Sequence, residues 1–237
     1  MSVDVGYSAD QLATWRLLYQ RQTEALRDRA HPVYFEGLAA FGIDDRIPDL
    51  DELSDRMADR VGWRVVPVDG QVDGLTFNSL LRDHTMPSTT YVRTMAELAH
   101  SKEPDMFHDM FGHLPWLIDP SYRDFLAAFG AASLGLLPDE RAAGRLGLAF
   151  KWTVEYGLIN YRGQVRACGA GLMSSAGELD HALGEGVRRL LFDPAVAVDT
   201  YHAPAQLQPQ YFVLDSFEQL GAQLDEMVRC ALAPAER

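Results

Sequence analysis

The sequence is poor in cysteine, has no long apolar segment and carries no basic stripe. Its two cysteines, Cys168 and Cys230, are too few for a disulfide framework and suit a reducing compartment. No apolar run approaches the roughly 20 residues that span a bilayer, and residues 1–10 lack the basic and apolar segments of a secretory signal. The net charge of −13 disfavours a polyanionic partner. These absences predict a cytoplasmic protein without nucleic-acid or membrane partners.

The length of 237 residues is sufficient for one buried core, and the sequence has neither repeats nor a low-complexity linker. We therefore predict a single domain over residues 1–237. Caps and apolar periodicity predict helices after Ser8 and at 33–41, 49–61, 77–83, 105–111, 120–134, 139–158 and 216–232. Strands are predicted at 63–68 and in a hairpin that joins 165–168 to 211–214. The expected fold is mainly α with a small β component and without alternating βαβ units.

Two histidines and one glutamate stand out as a possible metal site. His108 and His113 lie in the segment EPDMFHDMFGH, and Glu155 is the one acidic residue of the apolar segment TVEYG. Two imidazoles and one carboxylate form the facial triad that holds non-haem Fe(II) and leaves positions open for oxygen and substrate. The sequence therefore predicts that these three side chains bind one Fe(II) ion.

The spacing of the histidines constrains this site. In the zinc motif His-Glu-x-x-His the ligands are four residues apart and share one helix face. His108 and His113 are five apart, which turns the second side chain about 140° from the first in an α-helix. We expect the helix to end or distort between them, at Gly112. The lack of a cysteine near these histidines argues against a structural zinc finger.

Several segments in the same order resemble the pterin-dependent aromatic amino acid hydroxylases, most closely the bacterial phenylalanine 4-hydroxylase type. They are EPDMFHDMFGH at 103–113, TVEYGLI at 153–159, GAGLMSSAGE at 169–178 and QPQYFVLDSFE at 208–218. The resemblance extends from about residue 13 to about residue 220. It implies the mainly helical catalytic-domain fold of that family, with Fe(II), a tetrahydropterin co-substrate and O₂. The implied reaction is hydroxylation of an aromatic amino acid on its ring, most simply phenylalanine to tyrosine.

The resemblance also implies roles for individual residues. Asp109 would contact the pterin through water, and Phe77 would stack on its ring, which a flat heterocycle favours. The positions implied at the cofactor are Gly70, Val72, Phe77, Asp109 and Phe150. Arg93 would grip the carboxylate of the amino acid bidentately. The positions implied at the substrate are Arg93, Ser101, Pro104, Lys151, Tyr156, Gly171 and Ser174.

Four residues depart from the family pattern. Phe150 and Lys151 stand where relatives have aromatic residues, the first usually a tyrosine; Cys168 replaces the usual tyrosine, and Ala176 the usual phenylalanine. We expect all four to lie at the substrate and pterin end, with none touching the iron ligands. Lys151 either reaches out of the pocket or pairs with an anionic group. The amino acid and the ring position attacked therefore stay open at this point.

Three alternatives remain. A secondary-metabolism enzyme of the same family would hydroxylate phenylalanine at the meta position, or tryptophan. A zinc hydrolase would need a general base beside the metal, for which Asp109 is available. An iron-free binding protein on the same fold is the third. The resemblance leaves no room for a regulatory domain or a long heptad tail, so we expect a monomer.

Overall fold

The computed structural model describes residues 6–98, 104–203 and 206–234. In this part of the chain, helices pack around a hydrophobic core. The α-helices are α1 (Ala9–Leu26), α2 (Val33–Phe41), α3 (Leu50–Val61), α4 (Gly74–Arg82), α5 (Pro120–Leu136), α6 (Glu140–Phe150), α7 (Ala170–Ser174), α8 (Ala176–Leu183), α9 (Pro194–Ala197), α10 (Phe217–Ala222) and α11 (Leu224–Leu232). Short 3₁₀ helices cover Met95–Glu97 and Leu114–Ile118.

The first three helices begin and end where their caps indicate. Ser8 and Gln11 form a reciprocal capping box at the start of α1. The side chain of Asp49 accepts a backbone N–H in the first turn of α3. Gly42 and Gly62 take the left-handed conformation directly after α2 and α3, with φ of 66° and 73°. These signals act locally, and the predicted extents of α2 and α3 are confirmed.

The core is built mainly from aromatic and aliphatic side chains on the inner helix faces. Trp15, Trp116 and Trp152 are completely buried. Two of them also satisfy their indole N–H groups, since Trp15 donates to the carbonyl of Asp44 and Trp152 to that of Thr200. Among the described helices, none combines the length and the apolar character needed to cross a bilayer.

The strands form two small sheets. β1 (Arg64–Val68) and β2 (Thr85–Thr89) are parallel, with α4 between them in the chain. The larger sheet has the order β4–β3–β6–β5 and consists of β3 (Leu158–Tyr161), β4 (Gln164–Ala167), β5 (Arg188–Leu191) and β6 (Gln210–Leu214). The β1–α4–β2 unit is a single parallel connection that the sequence analysis did not locate, and the predicted mainly α fold with a small β component stands. The sequence of β2, TMPST, lacks the apolar alternation that would have indicated a strand.

The predicted hairpin between 165–168 and 211–214 is wrong. β4 pairs antiparallel with β3, and β6 lies parallel to β3 on its other side. The true hairpin turns at Arg162 and Gly163, which both have positive φ, 53° and 78°. Two such residues match the turn geometry that closes a tight hairpin. The sequence signal was this Arg-Gly pair between two short apolar segments.

A π-helix over His108–His113, the first π-helix, carries both predicted histidine ligands. Its backbone bonds join residues five apart, so side chains at that spacing share one face. Pro115 follows it and has no N–H to donate to the carbonyl of Phe111, four residues earlier. The hydroxyl of Tyr34 donates to this carbonyl instead, at 2.6 Å. The predicted distortion is therefore present, but it extends over the whole segment from His108 to His113.

Gly112 serves packing rather than helix termination. It does not have a positive φ, and the helical chain continues through it. A Cβ atom there would lie 2.9 Å from the backbone oxygen of Ala170 in α7. The expectation that the helix ends at Gly112 is wrong, because the residue is needed for the close approach of α7 to the first π-helix.

The second π-helix, Lys151–Glu155, carries the predicted carboxylate ligand. The Tyr156 N–H donates to the carbonyl of Lys151, five residues earlier, at 2.9 Å. Within the same π-helix, the hydroxyl of Thr153 donates to the carbonyl of Ala149 in α6 at 2.7 Å. Side-chain bonds of this kind compete with the α-helical pattern and bend helices. Both segments that hold candidate ligands thus depart from α-helical geometry.

Two predicted helices were too long. The helix predicted at 139–158 ends with the second π-helix, and Leu158 already belongs to β3. Gly157 separates the two elements, since a Cβ atom there would lie 2.1 Å from the carbonyl oxygen of Thr153. The predicted closing helix at 216–232 is divided into α10 and α11 at Gln223. In both cases an apolar pattern continued across a break that tertiary packing imposes.

The contact between α2 and the 3₁₀ helix that follows the first π-helix generates a stability prediction. A Cβ atom on Gly37 would lie 1.9 Å from the carbonyl oxygen of Pro115. We expect Gly37→Ala to cost about 2 kcal/mol or more through overpacking. The midpoint of thermal unfolding should fall by at least about 5 °C.

Gly144→Ala is the matched control, because Gly144 lies inside α6 and a Cβ atom there meets no other atom within 4 Å. We expect this change to stabilise the protein by about 0.5–1 kcal/mol. Equal unfolding midpoints for the two variants would contradict the close approach at Gly37.

Candidate active site

Three side chains from the two π-helices converge on one point. The Nε2 atoms of His108 and His113 lie 3.2 Å apart. Glu155 places Oε2 3.4 Å from His108 Nε2 and Oε1 3.5 Å from His113 Nε2. Each of these three residues offers one ligand atom, and the three atoms all lie within 4.8 Å of one another. The structure therefore brings together the three predicted ligands.

The spacing of these atoms fits one face of an octahedral ion. With metal–ligand bonds of about 2.1 Å, neighbouring ligand atoms at right angles are roughly 3.0 Å apart. The three observed separations are slightly longer than this value, and the two that involve Glu155 run to different oxygens of its carboxylate. Two imidazole nitrogens and one carboxylate oxygen are the donor set of the Fe(II) facial triad, which leaves three positions free. The residues present thus fit a divalent iron ion.

Ser174 fixes the tautomer of His108. Its hydroxyl lies 3.0 Å from the carbonyl oxygen of Ala170, which can only accept, and 2.8 Å from His108 Nδ1. Because the hydroxyl proton goes to Ala170, the hydroxyl oxygen must accept from the Nδ1–H of His108. Nε2 then carries the lone pair and points towards His113 and Glu155. A partner on the second ring nitrogen is typical of metal-bound histidines.

The electrostatics of the cluster favour a charged carboxylate. Burial alone would raise the pKa of Glu155, but Lys151 and the two histidines lower it well below its usual range. Burial also lowers the pKa of His108, and the facing Glu155 overcomes this and raises it above the usual value. Glu155 therefore carries a negative charge at neutral pH, as a cation site requires.

A cavity of about 470 Å³ opens beside the three candidate ligands. Its walls come from the loop before α4, from α4 itself, β2, α5, α6 and both π-helices. Phe150 packs edge-on against Phe77, with ring centroids 5.8 Å apart, and against Phe129 at 5.1 Å. This aromatic wall faces a space large enough for a small flat molecule.

Asp109 connects the cavity to the smaller sheet. Its Oδ2 accepts the backbone N–H of Thr89, the last residue of β2, at 2.7 Å. Burial raises the pKa of Asp109, against the opposing effects of His108 and of this hydrogen bond. The bond fixes one carboxylate oxygen and holds the end of β2 against the first π-helix.

All five positions predicted at the cofactor line the cavity: Gly70, Val72, Phe77, Asp109 and Phe150. Of the positions predicted at the substrate, Pro104 and Lys151 line it as well. Ser101 lies outside the described residues. The other four surround the ligands without lining this cavity: Arg93, Tyr156, Gly171 and Ser174.

Arg93 is buried and already paired. Its Nε and Nη2 donate to the two oxygens of Asp105, at 3.0 and 2.6 Å, and its backbone N–H donates to the same carboxylate at 2.9 Å. Asp105 Oδ1 also accepts the backbone N–H of His108 at 3.1 Å. Within the described part of the chain, Arg93 Nη1 has no hydrogen-bond partner. One edge of the guanidinium thus supports the first π-helix, and one nitrogen remains available.

Gly171 and Tyr156 pack directly behind Glu155. A Cβ atom on Gly171 would lie 3.0 Å from the backbone oxygen of Glu155 and 3.1 Å from the ring of Tyr156. The Tyr156 ring is tilted against His202, with centroids 4.9 Å apart. Both residues therefore fix the position of the carboxylate ligand from the side away from the cavity.

The four departures from the family pattern do not lie together as expected. Phe150 and Lys151 line the cavity, whereas Cys168 is buried and Ala176 is exposed at the start of α8, and neither lines it. The expectation that none touches a ligand is also wrong. The ammonium of Lys151 lies 3.9 Å from Glu155 Oε1, so Lys151 pairs with an anionic group, and that group is a candidate metal ligand.

Sequence reasoning missed several residues of the cavity. The N–H of Thr89 is a backbone donor, for which the sequence offers no signal. Ala143 and Gly147 on α6 line the cavity, and their spacing of four residues puts two small side chains on one helix face. That small face, which continues to Phe150 and Lys151, was readable from the sequence.

The chain matches a family model described as biopterin-dependent aromatic amino acid hydroxylase over residues 2–232. Phenylalanine-4-hydroxylase of Mesorhizobium japonicum is 38% identical over 221 residues, which are 92% of this chain and 79% of that protein. Phenylalanine-4-hydroxylase of Chromobacterium violaceum is 38% identical over 221 residues, 90% of this chain and 72% of that protein.

A crystal structure of the Chromobacterium violaceum phenylalanine hydroxylase, with bound iron(III) and oxidised 7,8-dihydrobiopterin, superposes with a TM-score of 0.91. It is 36% identical and covers 99% of this chain and 86% of that chain. These findings confirm the resemblance to the pterin-dependent hydroxylases. They also confirm the mainly helical fold with a small β component.

The hydrogen bond between Ser174 and His108 generates a prediction. We expect Ser174→Ala to lower the affinity for Fe(II) about 10- to 100-fold, since His108 loses the partner that fixes its tautomer. The dissociation constant is measured anaerobically by competition with a chelator. Ser133→Ala is the control, because Ser133 lines the same cavity without a bond to a candidate ligand. An unchanged affinity in Ser174→Ala would contradict the orienting role.

Proposed function

The chain belongs to the biopterin-dependent aromatic amino acid hydroxylases, and we propose that it hydroxylates phenylalanine at ring position 4. The proposed cofactors are Fe(II) and a tetrahydropterin, with O₂ as oxidant. The observation that carries the proposal is the position of His108, His113 and Glu155 at the wall of a cavity that also has an aromatic face. The similarity to phenylalanine-4-hydroxylases supports phenylalanine as the substrate.

We propose His108, His113 and Glu155 as the iron ligands. Bound Fe(II), together with the reduced pterin, would supply the activation of O₂ and the transfer of one oxygen atom to the ring. The protein contributes a facial set of donors that leaves the opposite positions open towards the cavity. Ser174 would keep the lone pair of His108 directed at the ion.

The pterin is proposed to lie against the aromatic wall. Phe77 and Phe150 offer ring faces and edges to a flat heterocycle, and Gly70 and Val72 place backbone groups of the loop beside it. One carboxylate oxygen of Asp109 accepts the backbone N–H of Thr89. The other oxygen would then accept from the pterin or from a bridging water. The loop and the first π-helix would thus align the pterin with the iron.

The amino acid is proposed to approach from the side of Arg93 and Pro104. Arg93 Nη1 has no partner among the described residues and would donate to the substrate carboxylate, while Asp105 keeps the guanidinium in place. Lys151 lines the cavity and would limit the space for the ring, whereas Tyr156 would hold Glu155 from behind. Gly171 has no side chain and so allows α7 to pack closely against the backbone of Glu155.

We also propose that the protein is a monomer of the cytoplasm. Its cysteines Cys168 and Cys230 are free thiols, which suits a reducing compartment. The net charge of −13 favours repulsion between copies. Sedimentation velocity at physiological salt would measure the mass in solution, and a species of twice the mass would overturn the monomer.

The function is tested by product identification. We expect the protein with Fe(II), a tetrahydropterin and O₂ to convert phenylalanine into a product 16 mass units heavier that co-elutes with tyrosine. Each of His108→Ala, His113→Ala and Glu155→Ala should lose iron and activity together, because two ligands hold the ion poorly.

The same assay separates the alternatives. A product that co-elutes with meta-tyrosine, or hydroxylation of tryptophan in preference to phenylalanine, would replace the proposed reaction within the family. Undiminished iron content in one of the three variants would remove that residue from the ligand set. Activity with zinc and without pterin would overturn the proposal.

The burial of Arg93 determines how its role is tested. Arg93→Ala would leave the buried Asp105 unpaired and endanger the fold. Arg93→Lys retains a charge for Asp105 but loses the free nitrogen of the planar guanidinium. We expect it to raise the KM for phenylalanine about 10- to 100-fold, since a charge-assisted hydrogen bond contributes about 1.5–3 kcal/mol. The KM for the pterin should stay within about twofold.

The thermal unfolding midpoint of Arg93→Lys serves as the control for folding. Equal increases in the two KM values would contradict a direct contact with the substrate. Arg93 would then act only by holding Asp105 and, through it, His108.

A further inference from the structure

Lys151 places an ammonium group directly beside a candidate iron ligand. Its Nζ lies 3.9 Å from Glu155 Oε1, the same oxygen that faces His113 Nε2 at 3.5 Å. Lys151 and Glu155 begin and end the second π-helix, so their backbone positions are fixed relative to each other. The lysine side chain is 45% exposed and lines the cavity. It therefore reaches Glu155 from the open side of the site.

The charges around the cavity make this lysine unusual. Among the described residues that line it, the acidic ones are Asp109 and Glu155, and Lys151 is the only lysine or arginine. Arg93 does not line the cavity and is paired with Asp105. Within this cavity, the nearest full positive charge to the three proposed ligands is thus the Lys151 ammonium, which forms an ion pair with one oxygen of the carboxylate that would hold the ion.

We propose that Lys151 weakens metal binding and biases the site towards Fe(II) over Fe(III). The proposal rests on the proposed iron site. The ammonium competes with the ion for Glu155 Oε1 and repels it through space. Coulomb repulsion grows with the charge of the ion, so Fe(III) is disfavoured more than Fe(II). Lys151 acts through Glu155 and is a positioning residue, not a catalytic one.

The size of the effect follows from the partial exposure of the lysine. Solvent screens an exposed charge, so the interaction is far smaller than in a dry interior. We expect removal of the charge to lower the dissociation constant for Fe(II) about tenfold and that for Fe(III) about 100-fold. The roughly tenfold difference between these two effects corresponds to a fall of about 59 mV in the one-electron potential.

The test uses three variants of the whole protein. Lys151→Met removes the charge and keeps a flexible chain, Lys151→Arg keeps the charge, and Arg64→Met removes one positive charge outside the cavity. For each, the Fe(II) dissociation constant is measured by anaerobic competition with a chelator. The midpoint potential is measured by titration with dithionite, which supplies the electron that converts Fe(III) to Fe(II).

We expect Lys151→Met alone to bind Fe(II) more tightly and to show the lower potential, with Lys151→Arg and Arg64→Met close to the parent. Equal values for Lys151→Met and the parent would overturn the proposal, as would equal changes in Lys151→Met and Lys151→Arg. Lys151→Gln repeats the test if Lys151→Met does not fold. A parent protein that binds no iron would overturn the proposed function itself, which separates the two failures.

Discussion

The hydrogen bond between residues five apart is the constraint on which the site depends. In an α-helix His108 and His113 would point in different directions, and no packing of the surrounding helices could bring both to one ion. The first π-helix removes this conflict because its hydrogen bonds join residues five apart, which brings side chains at that spacing to nearly the same face. The second π-helix then brings Glu155 to the same point from another part of the chain. Two local departures from regular helix geometry thus create one site.

These unusual segments need support, and the structure supplies it from several elements. The hydroxyl of Tyr34 on α2 donates to the carbonyl of Phe111, for which Pro115 has no N–H. The buried Arg93–Asp105 pair holds the backbone of His108 from the opposite side. α7 contributes the close approach at Gly112 and the hydroxyl of Ser174. Neighbouring elements thus hold the backbone of the first π-helix and one ring nitrogen of His108, a proposed ligand.

Sequence reasoning found what is local or chemically distinctive. Caps located α2 and α3, and the donor types and spacing identified His108, His113 and Glu155. It failed where the deciding contact is remote. The strand partner of β4 depends on which segment packs beside it, and Leu158-Ile159 continues a helical pattern although it forms β3. The role of Ser174 depends on the proton given to Ala170, and the pairing of Lys151 depends on a bent helix. Neither is visible as a sequence motif.

The length of the first π-helix has a consequence for comparing related sequences. A π-helical turn contains one residue more than the α-helical turn it replaces. Loss of a single residue between His108 and His113 would give a regular α-helical turn with histidines four apart, the spacing used by zinc motifs. At the proposed metal site, a one-residue gap in this segment would change the coordination chemistry and would not be an ordinary difference in loop length. The backbone count, as much as the identity of the ligands, encodes which metal geometry the protein offers.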